Sequence, residues 1–310
     1  MREEQFVIDE HGAEDELAYW ENVFSNYASK GNKHLDVLLS PSMPLQQQFI
    51  DIIASYQRPD GHMIKVLDVG CGPLSVIGKS GPYEVDLVGI DPLSGTYQKI
   101  LERHGLVSPH LSIAGMGEQI DTFFSAESVD FIHSRNALDH CEDPRVVIRN
   151  MITLAKPNSK IFINVCQNEG ENASYSGFHR WNFDEVAGRI IIWNPGSVDF
   201  LDSVLGGLPY RYRRYAFRDD KVFPDQFDIV IHKNAPNELA MKEIRPGIRA
   251  MFSRRHAWVT IECESKVDST LSWFVHGFRD KNLFTLRPYA GTSRKKGGPY
   301  YYLKVLQTKL

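Results

Sequence analysis

A short apolar run that breaks into a glycine turn constrains the fold of this chain more than any other feature. Residues 66–69 are Val-Leu-Asp-Val, residues 70–73 are Gly-Cys-Gly-Pro, and a second apolar run ends at Asp91. Such runs are typical of buried strands in a parallel sheet. A turn without large side chains after one strand, and a carboxylate at the end of the next, are the parts needed to hold an adenosine.

The composition of the turn indicates which kind of adenosine ligand it suits. A pyrophosphate-binding turn uses free backbone N–H groups and a third glycine where the next helix starts. In this chain Pro73 has no N–H to donate, and Ser75 stands at the position of the third glycine. The turn therefore favours a nucleoside without phosphates, and a nicotinamide-dependent oxidoreductase is the disfavoured Rossmann alternative.

Strands and helices are predicted to alternate through the centre of the chain. The predicted strands are 64–69, 86–91, 109–113, 128–133 and 160–165, and the helices between them include 95–104 and 144–155. This alternation indicates an α/β fold with a Rossmann-like, doubly wound and mostly parallel sheet. Further strand-like runs are 189–193, 210–217 and 228–232. The last two would complete the sheet as an antiparallel edge pair.

The chain divides into three predicted segments, 1–60, 61–234 and 235–310. The first is an N-terminal helical segment with helices near 14–30 and 44–56. It would either form a lid over the ligand site or only pack against the sheet. The second is the sheet domain, and the third is a β-rich C-terminal extension.

The C-terminal extension differs from the rest of the chain in pattern and in charge. It holds a helix-like stretch at 238–252 and strand-like runs at 258–263, 283–287 and 300–306. It carries fourteen Lys and Arg against six Asp and Glu, although the whole chain has a net charge of −4. A basic section on an acidic body indicates either an anionic substrate or a protein contact, and two solvated faces that differ by chance are an equal alternative.

Cysteine usage and hydropathy exclude several classes. The four cysteines are scattered without C-x-x-C spacing, so neither a disulfide framework nor a thiolate zinc site is indicated. The first five residues are polar and unlike a signal peptide, and no apolar stretch approaches the length that crosses a bilayer. We expect a soluble, cytoplasmic protein with no membrane partner.

Taken together, these motifs resemble the class I S-adenosylmethionine-dependent methyltransferases, most strongly over residues 65–165. Residues 68–73, Asp-Val-Gly-Cys-Gly-Pro, are similar to the first motif of that family. Asp91 matches the acidic residue after its second strand, and the segment 115–118 is similar to the one that borders the adenine. A fourth apolar strand opens into the polar turn 134–140, as it does in the family.

The resemblance implies that S-adenosyl-L-methionine is the cofactor and suggests which residues bind it. Asp68 would face the methionine amino group, and Asp91 would accept both ribose hydroxyls, unless it only caps a helix. Ser134, expected first past the fourth strand, would contact the methionine part or act only in the turn. The other implied cofactor residues are Gly70 and Gly72, whose backbone approaches the cofactor, and Met116 and Gly117, which border the adenine. The family often has an aspartate near position 116, and this chain has none.

Three residues are candidates for catalysis. His140 follows the fourth strand, where the transferred methyl group should emerge, and an imidazole suits a general base. Asp139 would orient His140 or meet the substrate, and His179 would line the acceptor pocket. Capping, hydrogen bonding or loop packing remain alternatives for all three. No metal site is expected in the cluster 139–143, because adjacent residues in a turn rarely converge on one ion.

The acceptor is the least constrained part of the prediction. The favoured hypothesis is methyl transfer to an oxygen or nitrogen of a small molecule, such as a sugar or a nucleotide-linked sugar. The alternative is RNA methylation, in which basic groups near Arg254 and Arg294 and the tyrosines at 300–302 dock the RNA. A third hypothesis is a methyltransferase-like interaction module that only binds the cofactor. The oligomeric state is left open.

Overall fold

A computed structural model gives the architecture of residues 10–55, 63–216 and 224–233, and the backbone of four further strands between residues 248 and 288. The helices are α1 (Glu10–Lys30), α2 (Lys33–Leu38), α3 (Gln47–Ala54), α4 (Ser94–Arg103), α5 (Ile120–Phe123), α6 (Pro144–Leu154), α7 (Glu169–Asn172) and α8 (Leu201–Val204). Two 3-10 helices span Gly117–Gln119 and Leu138–His140. None of the helices in these ranges combines the length and apolar character needed to span a membrane.

The strands fall into three sheets. In chain order they are β1 (Ile64–Val69), β2 (Val85–Asp91), β3 (Leu111–Ala114), β4 (Val129–Arg135), β5 (Ala155–Cys166), β6 (Asn182–Val186), β7 (Arg189–Asn194), β8 (Ser197–Phe200), β9 (Tyr210–Ala216), β10 (Asp225–His232), β11 (Ile248–Ser253), β12 (His256–Ile261), β13 (Leu271–Gly277) and β14 (Phe284–Pro288). The main sheet has seven strands in the order β3-β2-β1-β4-β5-β10-β9.

The main sheet confirms the predicted fold class. Strands β1 to β5 are parallel, whereas β10 runs antiparallel to both β5 and β9. This is a Rossmann-like sheet with an antiparallel edge pair. The direction of winding reverses between β1 and β4, and ligands bind at the carboxyl ends of strands at such a point. The topology therefore places a site between the segments that follow β1 and β4.

Helices cover both faces of the sheet, which is why its central strands are apolar along almost their whole length. On one face, α6 contributes Val147, Ile148 and Met151 to the core. On the other face, Phe49 of α3 packs against Phe131 of β4. Each fully buried side chain of this size contributes roughly 1.5–3 kcal/mol to folding. The result is a rigid frame for the loops at the carboxyl ends of the strands.

The start of α6 fixes the end of the segment that follows β4. Asp143 is the N-cap, and its carboxylate accepts a hydrogen bond of 2.9 Å from the backbone N–H of Arg145. Pro144 occupies the first helical turn, where a missing N–H costs nothing. The polar turn between β4 and α6 is therefore held at both ends.

A three-stranded antiparallel sheet of β6, β7 and β8 follows β5. The sequence predicts only the middle strand of this sheet, at 189–193. The polar and aromatic run 177–183 predicts a loop, and this prediction is wrong at its end, because residues 182 and 183 already belong to β6. Asn182 and Phe183 pair with Trp193 and Ile192, and this pairing in the tertiary structure outweighs the polar character of the local sequence.

The C-terminal strands confirm a β-rich extension and correct one prediction. Strands β11 to β14 form a four-stranded antiparallel sheet. Residues 248–252, expected at the end of a helix, lie in β11. Their sequence, Ile-Arg-Ala-Met-Phe, alternates with a period of two at its start, which favours a strand. The predicted run 300–306 lies outside the described residues.

The glycine turn after β1 depends on a left-handed backbone. Gly70 has a φ of 70° and Gly72 a φ of 59°, a region that L side chains rarely adopt. The backbone N–H of Gly70 donates to the carbonyl of Ile90, which ties the turn to β2. A Cβ on Gly70 would lie 2.2 Å from the Cβ of Ala137. The turns after β1 and β4 therefore contact each other too closely for any side chain at position 70.

We expect Gly70→Ala to lower the free energy of unfolding by about 2 kcal/mol or more. The left-handed conformation alone costs roughly 1–2 kcal/mol for an L residue, and the contact with Ala137 adds to that cost. Adding Ala137→Gly should restore the part that arises from the contact. Urea denaturation of the single and double variants measures both terms.

Gly95→Ala is the matched control for this substitution. Gly95 lies in α4, and a Cβ there would meet nothing within 4 Å. Alanine should stabilise the helix at this position by roughly 0.5–1 kcal/mol. Equal stabilities for the two alanine variants would contradict the proposed contact between the two turns.

Candidate active site

A cavity of about 410 Å³ opens at the carboxyl ends of β1, β2 and β4. The glycine turn, the end of β2 and the segments after β3 and β4 line it, together with side chains of α1 and Phe178. Six of the predicted cofactor residues are among the lining residues, namely Asp68, Gly70, Gly72, Asp91, Met116 and Gly117. The chain folds so that residues far apart in sequence meet at one edge of the sheet.

Asp91 links the glycine turn to the start of α4. One carboxylate oxygen accepts a hydrogen bond of 3.0 Å from Gly72 N–H, and the other accepts one of 2.9 Å from Leu93 N–H. Burial raises the pKa of Asp91 to about 6, although both of these hydrogen bonds oppose the shift. Each oxygen keeps a lone pair for a further donor. The carboxylate thus has a structural role at the helix start and is also able to bind a ligand.

Asp68 belongs to a buried network beneath the glycine turn. Its Oδ1 lies 2.6 Å from Nδ1 of His133, and Ser75 Oγ donates to its Oδ2 at 2.5 Å. The His133 ring is stacked on Phe162, with ring centroids 5.6 Å apart. Burial raises the pKa of Asp68, but the attraction to His133 and the hydrogen bonds from His133 and Ser75 outweigh it and lower the pKa overall.

Ser75 and His133 are functional residues that the sequence reasoning missed. The sequence marks Ser75 only as the residue at the position of the third glycine. In the structure its hydroxyl donates to Asp68 and accepts from Ile77 N–H. His133 is the cross-strand neighbour of Asp68 in the β1–β4 pair. Strand pairing supplies this neighbour, and the local sequence of β4 carries no signal for it.

The predicted position of Ser134 is wrong. Strand β4 continues to Arg135, so Ser134 lies within the strand and is fully buried instead of following the strand. His133 and Arg135 line the cavity, and Ser134 does not. Side chains alternate between the two faces of a strand, so its neighbours and Ser134 point in opposite directions.

The segment after β3 brings a further carboxylate to the cavity. Glu118 lines the cavity beside Met116 and Gly117, and its Oε1 accepts a hydrogen bond from Asp143 N–H at 3.1 Å. Its Oε2 is buried and has no hydrogen-bond partner among the described residues. A buried carboxylate oxygen without a partner is costly unless a ligand supplies a donor. Glu118 is therefore a candidate for the contact that an aspartate near position 116 makes in the family.

The three predicted catalytic residues come together at the side of the cavity. Nδ1 of His179 lies 2.7 Å from Oδ2 of Asp139 and 3.2 Å from Nε2 of His140. Nε2 of His140 is 3.4 Å from the same carboxylate oxygen. Of the three, His140 lines the cavity, while Asp139 is buried behind it.

Hydrogen bonds fix the loop that places His179 in this cluster. The backbone N–H groups of Arg180 and Trp181 both donate to the carbonyl of Asp139, at 2.9 and 3.1 Å. The indole N–H of Trp181 donates to the carbonyl of Glu142, and the Arg180 guanidinium pairs with the Glu142 carboxylate. These contacts join the loop to the turn after β4 on both sides of the cluster.

The cluster shifts the pKa values of its members in opposite directions. Burial raises the pKa of Asp139, but the attraction to His140 and the hydrogen bond with His179 hold it below its ordinary value. The hydrogen bond with Asp139 raises the pKa of His179, and partial burial opposes this rise. The carboxylate is therefore ionised at neutral pH.

Comparison with protein families identifies the family to which the chain belongs. A family model described as a methyltransferase domain matches residues 19–199, more than half of the chain. The chain belongs to this family. It is a class I S-adenosylmethionine-dependent methyltransferase, and S-adenosylmethionine is its cofactor, as the motifs predict. The matched range contains every residue that lines the cavity except Glu16.

Several solved structures are similar to this methyltransferase at low identity. Phosphoethanolamine N-methyltransferase 2 of Haemonchus contortus, in complex with phosphomonomethylethanolamine and S-adenosylhomocysteine, matches at 11% identity over 74% of this chain and 61% of its own, with a TM-score of 0.47. The N-methyltransferase NodS of Bradyrhizobium japonicum matches at 15% identity over 61% and 93%, with a TM-score of 0.40. Similarity at this level does not identify the acceptor. A comparison with curated proteins finds no sequence that matches this methyltransferase.

We expect His133→Leu to lower the free energy of unfolding at pH 7 by about 1–3 kcal/mol, because it leaves a buried carboxylate oxygen without its hydrogen-bond partner. Asp68 would keep Ser75 as a side-chain donor and lose its contact with the imidazole. Urea denaturation at pH 7 measures the loss.

His110→Leu is the control for this variant. His110 is also a buried histidine, but its ring bonds only to the hydroxyl of Ser108 among the described residues. Its replacement leaves no carboxylate without its main partner, so the loss should be less than half as large. Equal losses in the two variants would show that the Asp68 contact has no special importance.

Proposed function

We propose that this methyltransferase transfers the methyl group of S-adenosylmethionine to an oxygen or nitrogen atom of a small-molecule acceptor. The observation that carries the proposal is one cavity that joins the glycine turn, Asp91 and the adenine segment to His140. When bound, the cofactor supplies an electrophilic methyl group on a positively charged sulfur. The protein must align the acceptor, exclude water and remove a proton.

The residues of the cavity fit this cofactor. The backbone of Gly70 and Gly72 would lie against it without obstruction by a side chain, and Asp91 would accept the ribose hydroxyls. Met116 and Gly117 would border the adenine. The unpartnered Oε2 of Glu118 would accept a hydrogen bond from the adenine amino group, since a buried acceptor next to an adenine favours that donor.

The acceptor would enter on the side of the histidine cluster. His140 faces the cavity, and Asp139 and His179 hold its ring nitrogen within hydrogen-bond reach of a carboxylate. We assign the removal of the acceptor proton to this cluster. Phe178 packs beside His140, with ring centroids 5.9 Å apart, and would help to exclude water.

The N-terminal segment, predicted as 1–60, is proposed to act as a lid. Tyr19 and Trp20 of α1 line the cavity together with Glu16. Glu16 accepts a hydrogen bond of 2.8 Å from the Trp20 indole within α1. It also accepts one of 3.3 Å from the hydroxyl of Tyr97, which joins α1 to α4. The methyltransferase domain would then comprise 61–234 and the extension 235–310.

The charges around the cavity support a small acceptor over RNA. The carboxylates that line it are Glu16, Asp68, Asp91, Glu118 and Glu142, and the arginines that line it are Arg135 and Arg180. An acidic lining disfavours a polyanion. The basic extension remains the argument for RNA, and a cavity of about 410 Å³ argues against a pure interaction module.

Transfer of tritiated methyl groups tests the choice of acceptor. The full chain is incubated with labelled S-adenosylmethionine and either a low-molecular-mass metabolite fraction or an RNA fraction. We expect label in the metabolite fraction. Label confined to RNA, with a strong decline of transfer as salt increases, would replace the small-molecule proposal.

The affinity for S-adenosylhomocysteine should depend on the ionisation of Asp91. Ribose hydroxyls donate to the ionised carboxylate, so affinity should be full above pH 6 and fall as the pH decreases through about 6. At pH 5 we expect about tenfold weaker binding than at pH 7, by calorimetry. Asp91→Ala should weaken binding by about 10–100-fold at pH 7 and remove this dependence.

Asp86→Asn is the matched control, because Asp86 lies on the same strand but is exposed. It should bind S-adenosylhomocysteine like the unaltered protein at every pH. The same pH dependence in Asp91→Ala and in the unaltered protein would exclude Asp91 as the titrating ligand, and binding of NAD in place of S-adenosylhomocysteine would refute the cofactor assignment.

We expect Glu118→Gln to shift the binding preference of the site from adenine towards a base with an oxygen in place of the amino group. Asp143 N–H needs an acceptor, so the amide oxygen of the variant takes that hydrogen bond and its NH₂ group faces the cavity. We expect binding of S-adenosylhomocysteine to weaken by about tenfold and binding of S-inosylhomocysteine, whose base carries an oxygen at that position, to improve. Glu102→Gln on the exposed face of α4 is the control. An unchanged ratio of the two affinities would exclude this role for Glu118.

A further inference from the structure

Three potential metal ligands converge beside the cavity. Oδ2 of Asp139, Nε2 of His140 and Nδ1 of His179 are separated by 2.7, 3.2 and 3.4 Å. We propose that these atoms bind a divalent transition-metal ion of the zinc type, an extension that rests on the proposed function of the cluster. Bonds of about 2.0–2.1 Å place neighbouring ligands of one ion about 2.9–3.4 Å apart, depending on coordination geometry. The observed separations need little adjustment to bind such an ion.

Hydrogen bonds join the three residues, but the contact between His140 and the carboxylate is long. Nδ1 of His179 carries at most one proton, which it donates to Asp139 at the shorter distance. Nε2 of His140 then faces a nitrogen without a second proton and a carboxylate oxygen at 3.4 Å. A metal ion accepts a lone pair from each of the three atoms, and so satisfies all of them at once.

The surrounding charge also favours a cation. Asp139 is a buried carboxylate, and Glu169 interacts electrostatically with Asp139 and with both histidines. Oε2 of Glu169 is buried and has no hydrogen-bond partner among the described residues. The negative charges of Asp139 and Glu169 would balance the charge of a divalent cation bound to the two imidazoles. Glu169 would therefore support the ion from outside its ligands.

The ligand types indicate the class of metal. Two imidazole nitrogens and one carboxylate oxygen suit Zn²⁺ and neighbouring first-row ions, whereas Mg²⁺ and Ca²⁺ prefer oxygen ligands. Three protein ligands leave at least one coordination position for a small molecule, which is typical of catalytic sites. Because His140 lines the cavity, we expect that position to face the acceptor.

The ion would deepen the proposed chemistry without changing the overall reaction. An acceptor hydroxyl that binds a dication becomes a stronger acid. With the ion bound, the three cluster residues act as ligands and no longer take the proton themselves. The hydroxyl proton would leave to solvent, and the freed electron pair would form the new bond to the methyl carbon as the carbon–sulfur bond breaks. The positive charge on sulfur is discharged in the same step.

The geometry of this cluster differs in one respect from the reasoning behind the sequence prediction of no metal site. Adjacent side chains at 139 and 140 were expected to diverge, but the 3-10 turn and the length of the imidazole bring their ligand atoms within 3.4 Å. The third ligand arrives from a loop 39 residues further along the chain. Spacing within the cluster 139–143 contains no information about it.

Zinc titration of the untagged full chain tests the proposal. Isothermal calorimetry with ZnCl₂ should give about one equivalent bound at micromolar or lower concentration. Asp139→Asn and His179→Gln should each weaken binding by at least about tenfold, the lower end of the losses caused by altering even the outer contacts of metal sites. Cobalt(II) absorption provides a second readout, since the ligand-field bands should disappear in both variants.

His232→Gln is the matched control, because His232 lies on β10 outside the cavity. It should bind zinc like the unaltered protein. S-adenosylhomocysteine binding should persist in all three variants, which separates loss of the metal from misfolding or from failure of the cofactor assignment. Absence of saturable zinc binding below about 1 mM, or equal affinity in the unaltered protein, Asp139→Asn and His179→Gln, would overturn the proposal.

Discussion

The buried contact between Asp68 and His133 holds together the part of the sheet on which the site depends. The two residues are cross-strand partners in β1 and β4, the strands between which the direction of winding reverses. The glycine turn follows one strand, and the turn with Asp139 and His140 follows the other. This hydrogen-bonded pair thus reinforces the pairing of the two strands that lead into the glycine turn and into the turn with Asp139 and His140.

The two ends of the cavity use carboxylates in different ways. Burial raises the pKa of Asp91, whose two oxygens can each accept a further hydrogen bond. Nearby histidines lower the pKa of Asp139. The first carboxylate suits neutral hydroxyl donors, and the second, which stays ionised, suits a cationic partner. This division of charge fits a reaction that holds a nucleoside at one end and activates an acceptor at the other.

The sequence predicts the strands of the main sheet well, because the signals that mark each strand lie in its own residues and in the turn that follows. Strand β1 was predicted with its observed bounds, since an apolar run followed by Gly70 marks both its burial and its end. The error at Ser134 arises because β4 and its pairing with β5 continue for two residues beyond the predicted end of the strand. Tertiary pairing, which no short motif encodes, decides that boundary.

The site is only partly predictable for a related reason. Asp91 and the glycines stand at strand ends, so a motif identifies them. His133 acts through a neighbouring strand, and His179 reaches Asp139 through a loop fixed by two backbone hydrogen bonds. Glu118 was visible in the motif, but its unpartnered oxygen is apparent only once Asp143 occupies the other one.

A crystal structure of the full chain with S-adenosylhomocysteine tests the central claim most directly. The claim is that one cavity orients the cofactor from Asp91 towards the histidine cluster. The account predicts ribose hydroxyls on the Asp91 carboxylate, the adenine beside Glu118 and the sulfur directed towards His140. A cofactor bound elsewhere, or one whose sulfur points away from His140, would contradict it.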